Sequence, residues 1–106
     1  MAVEPSVVVV FRSRLRDGIT DSYEPEAARM YELATEMPGF VSFKQFTAGD
    51  GERLSLIVFD SLEHERAWRD HPEHRRAQQR GRDEFYSEYV IQVCELVRER
   101  TFEGGG

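Results

Sequence analysis

The stretch Val7-Val8-Val9-Val10-Phe11 is β-branched almost throughout, and its apolar residues run continuously rather than alternating. A strand sends successive side chains to opposite faces, so Val8 and Val10 share one face while Val7, Val9 and Phe11 share the other. Apolar residues on both sides predict a strand buried on both faces of its sheet. At 106 residues the chain has the length of one domain, read here as residues 1–103 followed by a disordered tail, Gly104-Gly105-Gly106. One layer of helices covers one face of such a sheet. With no residues left for the second face, the expected cover is another copy of the chain.

Working outward, Arg12-Ser13-Arg14-Leu15 begins to alternate before Asp17-Gly18 turns the chain. Pro25 suits the first turn of a helix, and Ala27, Met30, Tyr31, Ala34 and Met37 recur at the spacing of one helix face. That helix is predicted to end at Pro38-Gly39. Two strands follow, Phe40 to Thr47 and Arg53 to Phe59, joined by the hairpin signal Gly49-Asp50-Gly51. Asp60 and Glu63 suggest a capping box that opens a second helix to about Trp68. His71-Pro72 interrupts it, since the residue before a proline avoids the α region while Pro72 suits the first position of a new helix. That helix is expected to run until Gly81 weakens it. A last strand, Tyr89 to Val97, alternates again. The order β-α-β-β-α-β predicts an α+β, ferredoxin-like fold: an antiparallel sheet with its helices on one face.

Composition narrows the function. Apolar residues make up 40% and charged residues 32%, too apolar for a disordered chain and too charged for a membrane protein. The net charge of −6 argues against a nucleic-acid partner held by phosphate neutralisation, and the basic cluster Arg75, Arg76, Arg80 and Arg82 reads as a solvated helix face. The longest apolar run, Val7 to Phe11, is far short of the roughly 20 residues that span a bilayer. The start lacks the features of a signal peptide, and a lone cysteine, Cys94, excludes an internal disulfide. A cytoplasmic protein is expected, with Cys94 a buried, inert thiol of the last strand.

The segment Val58-Phe59-Asp60-Ser61-Leu62-Glu63-His64-Glu65-Arg66-Ala67-Trp68-Arg69-Asp70-His71-Pro72-Glu73-His74, preceded by Met37-Pro38-Gly39-Phe40, resembles the antibiotic biosynthesis monooxygenase superfamily. The resemblance implies a dimeric α+β barrel in which two sheets pack face to face, and an oxygenase that needs no cofactor. The quinone-forming members carry an Asn and a Trp on the third strand, where this chain has Ser55 and Phe59, and a Tyr in the next helix, where it has about Glu65. The haem-degrading members carry a Trp, matched by Trp68, but also an axial His and a first-strand Asn, where this chain has Gln78 and Phe11. Haem chemistry is therefore not expected, since Gln78 offers no imidazole to the iron.

The remaining polar candidates gather around the helix break. Histidine is the natural general base near neutral pH. His74 is the first candidate for a catalytic base and His71 the second. Ser55, Gln78 and Tyr86, with Tyr89, offer polar contacts to a substrate; Phe43, Phe59 and Trp68, with Phe46, offer apolar walls. Each residue also has a plainer reading: Trp68 as core packing, His71 as the cap of the helix starting at Pro72, His74 as a half-buried surface histidine, and Tyr86 with Phe85 and Tyr89 as an aromatic seam. His71 and His74 lack a third ligand, because Glu73 points to another face, so no metal site is expected. The expected function is a small cofactor-independent monooxygenase acting on an aromatic or polyketide-like molecule with O2. The alternative is a non-catalytic dimeric module of the same fold that binds a small apolar ligand or serves a stress-related role.

Overall fold

The computed structural model describes residues 4–105. Residues 1–3 and 106 lie outside the described residues, and with them the reading of the amino terminus and the last glycine of the tail. The elements are β1 (Val7–Leu15), α1 (Thr20–Glu36), β2 (Phe40–Thr47), β3 (Arg53–Phe59), α2 (Leu62–Arg69), α3 (Pro72–Arg80), a π turn (Gly81–Phe85) and β4 (Tyr86–Glu95). The sheet has the order β2-β3-β1-β4, with every neighbouring pair antiparallel. This is the α+β ferredoxin-like fold, its two β-α-β halves interleaved so that β1 and β3 lie at the centre.

The registers sort the side chains. Val7, Val9, Phe11 and Ser13 of β1 face the helices with Ser55, Ile57 and Phe59 of β3. Val9, Ile57 and Phe59 join Leu33, Ala34 and Trp68 in the core, and Phe59 is fully buried. On the other face Val8 lies between Val58 and Cys94, and Val10 between Leu56 and Gln92. Among the described residues no helix packs on that face. Cys94 is therefore exposed in the single chain, contrary to the expected buried thiol.

Several boundaries move, each for a local reason. α1 begins at Thr20, so Pro25 lies inside it; Ser22 and Tyr23 already donate to the Ile19 carbonyl (3.1 and 3.0 Å), winding the first turn before the proline is reached. Leu33 and Ala34 take its core positions, while Tyr31 stays half exposed and meets Phe43 edge-on at 5.2 Å. The α2 cap is Ser61 rather than Asp60: Ser61 Oγ accepts from the His64 N–H at 3.2 Å, while the Asp60 carboxylate turns to His64 Nδ1 at 2.6 Å. Gly39 sits beneath this pair at φ 79°, where an added Cβ would run into the imidazole and the carboxylate. The Pro38-Gly39 step therefore ends α1 through both its backbone and its lack of a side chain. His71 caps α3, its Nδ1 accepting from the Glu73 N–H at 3.1 Å.

Gly81 does not stop α3 by leaving helical space. It keeps helical angles and lets the ring of Tyr86 pack where a Cβ would stand. The chain widens into the π turn, and the Arg16 guanidinium donates to two of its carbonyls, Arg82 and Asp83, at 2.8 and 2.9 Å and to that of Tyr86, the first residue of β4, at 3.0 Å. This brings the chain back to the sheet at Tyr86, earlier than the predicted Tyr89. β4 then stops at Glu95, short of the predicted Val97, which is almost wholly exposed.

Candidate active site

The helices do not seal the face they cover. α1 packs on β2 and α2 on β3, and between them and the sheet lies a cavity of about 390 Å³. Its floor is sheet: Val9, Phe11, Phe43, Ser55 and Ile57. Its roof is helix: Ala27, Met30 and Tyr31 from α1, Glu65 and Trp68 from α2, His74, Ala77 and Gln78 from α3. Part of the apolar stripe of α1 therefore lines the cavity, although Met30 also packs against the core. Ile91 and Val93 of β4 line it too yet remain about 40% exposed, which places the mouth along the β4 edge.

The cavity gathers most of the predicted site. Ser55 and Trp68 are buried in its wall, with Phe43, Gln78, Tyr86 and Tyr89 beside them. Phe59 does not reach it; it packs behind Trp68, ring centroids 5.4 Å apart. Phe46 lies on the uncovered face of the sheet and is about half exposed. His71 is also absent from the lining, its ring nitrogen committed to the α3 N-terminus.

His74 lines the cavity in an orientation set by two contacts. Its ring stacks on Trp68 with centroids 4.1 Å apart and planes 19° from parallel. Its Nδ1 lies 3.1 Å from the Trp68 carbonyl oxygen, which can only accept, so Nδ1 carries the proton and Nε2 keeps a lone pair. Burial pushes the His74 pKa down, holding the ring neutral. Tyr86 is shifted the other way for the same reason: burial, reinforced by Tyr23, keeps its phenol protonated and able to donate.

Sequence reasoning met Glu65 only as a departure from the family's tyrosine and did not place it in the site. Glu65 lines the cavity, is 2% exposed, and has an Oε1 with no hydrogen-bond partner. Burial raises its pKa; Arg69 and Arg66 act against that shift and Asp70 adds to it. Trp68 Nε1 is likewise buried without a partner. The signal was helical spacing: Glu65 stands three residues before Trp68 and so shares its face. Gln45 was also missed. With its amide placed to satisfy both groups, its oxygen accepts from Arg53 at 3.0 and 3.2 Å at the cavity wall.

Known proteins place this architecture. Residues 6–80 match the family model described as antibiotic biosynthesis monooxygenase. The chain belongs to the antibiotic biosynthesis monooxygenase family. The uncharacterized protein YqjZ of Bacillus subtilis (strain 168) is 31% identical over 100 residues, 94% of this chain and 88% of that one. Among solved structures, SnoaB of Streptomyces nogalater, a cofactor-independent oxygenase, matches with a TM-score of 0.73 at 17% identity, covering 94% of this chain and 99% of that one. A dimeric ferredoxin-like protein from Thermobifida fusca matches with a TM-score of 0.70 at 20% identity, covering 88% and 92%. These likenesses establish the fold of this family member. Among its described residues no helix is long and apolar enough to cross a membrane, and no three His, Cys, Asp or Glu side chains are grouped to hold a metal ion.

Proposed function

We propose that this family member is a cytoplasmic, cofactor-independent monooxygenase that takes a small aromatic or polyketide-like molecule into the cavity and oxidises it with O2. The observation that carries the reading is His74: an imidazole in the cavity wall whose Nδ1–H is tied to a carbonyl, which leaves Nε2 as the nitrogen with a lone pair. A base is the main chemical requirement when the substrate itself supplies the electrons. For an anthrone-type ring, removal of a proton from the methylene carbon leaves a carbanion spread onto the ring oxygen. One electron passes to O2, and the resulting superoxide and ligand radical combine at that carbon. The peroxide takes up the proton, and loss of water leaves a carbonyl. One O2 is consumed, with one oxygen atom in the product and one in water. The walls hold the ring in place, and Ser55, Gln78 and Tyr86 offer polar contacts to it.

A positioned base contributes about 10²–10⁴-fold. His74→Ala is expected to lower oxygen uptake with an anthrone by that factor, while His71→Ala, which alters a helix cap outside the cavity, keeps the wild-type rate. If no anthrone or hydroquinone in a panel gives uptake above the buffer rate, the oxygenase reading fails and a small-ligand-binding module of this fold becomes the better account.

The reading includes a homodimer closed through the uncovered sheet face. Val8, Val10, Leu54, Leu56 and Val58 form an apolar centre there, and Phe46 and Val90 extend it. An obligate interface of this kind buries about 2,000 Å² or more. Its supporting likeness is the dimeric Thermobifida fusca protein. A well-folded monomer at micromolar concentration in light scattering would exclude it.

A further inference from the structure

Two buried polar atoms in the cavity wall have no partner: Glu65 Oε1 and Trp68 Nε1. Their residues are 2% and 5% exposed, stand three apart on one face of α2, and both line the cavity. Buried polar groups in native proteins are almost always satisfied, so two orphans on one helix face of a cavity wall call for a partner that a ligand could supply. An indole N–H can only donate. The carboxyl is the ambiguous member, since it accepts when ionised and donates when protonated.

We propose that Glu65, uncharged, and the indole N–H of Trp68 form a two-donor cradle for the substrate oxygen that becomes anionic when His74 removes a proton. The inference rests on the oxygenase reading for the identity of the base, and adds the group that receives the resulting charge. The substrate class follows: an aromatic ring system with a carbonyl that can enolise, or a phenol, its oxygen directed at α2. An ionised Glu65 would face the same developing anion with a like charge, in a site stripped of water where that repulsion is least screened. Burial is the largest influence on this carboxyl and favours its neutral form. Donors already in place at an oxygen where charge develops are worth most in such a site.

The test separates a donor from a base. Glu65→Gln retains an N–H donor of similar shape and cannot accept a proton from carbon; Glu65→Leu retains neither. Removing one donor of this kind costs about 10²–10³ in kcat. The expected result is that Glu65→Leu loses oxygen uptake by that factor, Trp68→Phe loses it similarly, and Glu65→Gln loses less than about tenfold. The second readout needs no turnover. In the wild-type protein the bound phenol of 1,8-dihydroxyanthraquinone, followed by its phenolate absorbance, should ionise at least one pH unit below the free dye. Glu65→Leu should abolish that shift and Glu65→Gln should retain most of it. A urea midpoint for Glu65→Leu at or above wild type would show that the variant is folded. The proposal is overturned if Glu65→Gln is as inactive as Glu65→Leu, which would make Glu65 the base, or if the bound dye ionises at the same pH as the free one. A Glu65-dependent shift with no oxygen uptake from any substrate would keep the cradle and remove the oxygenase reading.

Discussion

The two faces of the sheet have similar apolar residues and opposite fates. Val9 and Ile57, facing the helices, are buried; Val8, Val10, Leu56 and Val58, facing away, are only half-buried, and Val90 is about half exposed. The covered face also carries polar side chains, Ser13 and Ser55, both buried, and its helices stand off far enough to leave a cavity. The uncovered face carries Arg12 paired twice with Glu52 and Arg14 reaching Asp50 at one end, and Lys44 beside Leu56 on its β2 side, around an apolar centre. The difference teaches that burial and purpose divide between the faces. One holds the fold together and encloses a ligand-sized space; the other is the face through which we propose that two copies associate.

The largest effect should come from the covered face. Phe59→Ala removes the fully buried ring behind Trp68 and is expected to cost about 3–5 kcal/mol in urea unfolding. If it cost no more than an exposed substitution, the covered face would not be the structural core. On the uncovered face, Val10→Lys should forfeit only part of the roughly 1.5–3 kcal/mol gained by fully burying a valine, since Val10 is half-buried within its own chain. Its signature differs from that of Phe59→Ala: light scattering should report a monomer or aggregate, and stability should cease to depend on protein concentration. Cys94 sharpens the contrast. A maleimide should react slowly with the native protein and much faster with Val10→Lys, because Cys94 lies beside Val8 on that face.

The smallest effect lies away from both faces, at the exposed Asp60–His64 pair. Its hydrogen bond to Asp60 raises the His64 pKa, and the same bond lowers that of Asp60. The histidine's contribution is present in full below its unfolded value of about 6.5 and is lost as pH rises through its higher folded value. The aspartate's contribution is present above about pH 4 and is lost as pH falls through its lower folded value. His64→Gln should therefore destabilise at about pH 5.5 and have little effect at about pH 8.5. A stability difference independent of pH would mean that the pair packs rather than attracts.

Much of the fold was legible in the sequence because its signals are local. The bounds of β2 and β3 follow from alternation and the Gly49-Asp50-Gly51 turn, the helix break from His71-Pro72, and the end of α1 from Pro38-Gly39. The errors fall where a distant partner decides. β4 starts at Tyr86 because Arg16 holds two carbonyls of the π turn and that of Tyr86, contacts between residues about 70 positions apart. Cys94 reads as buried from its neighbours, but it lies exposed on a face that no helix of the described residues covers.

The candidate site divides in the same way. His74, Trp68, Ser55, Gln78, Tyr86 and Phe43 could be named from chemistry and likeness, and all six line one cavity. The sequence by itself determined the order of elements, the two-sided first strand and the supply of aromatic and imidazole groups, because backbone preference and side-chain alternation act over a few residues. Only the tertiary structure decided which groups lose their water. Glu63 and Glu65 are two residues apart on the same short helix, yet one is solvated and the other is sealed into the cavity wall. A carboxyl's chemistry follows its desolvation, and desolvation depends on everything packed around it.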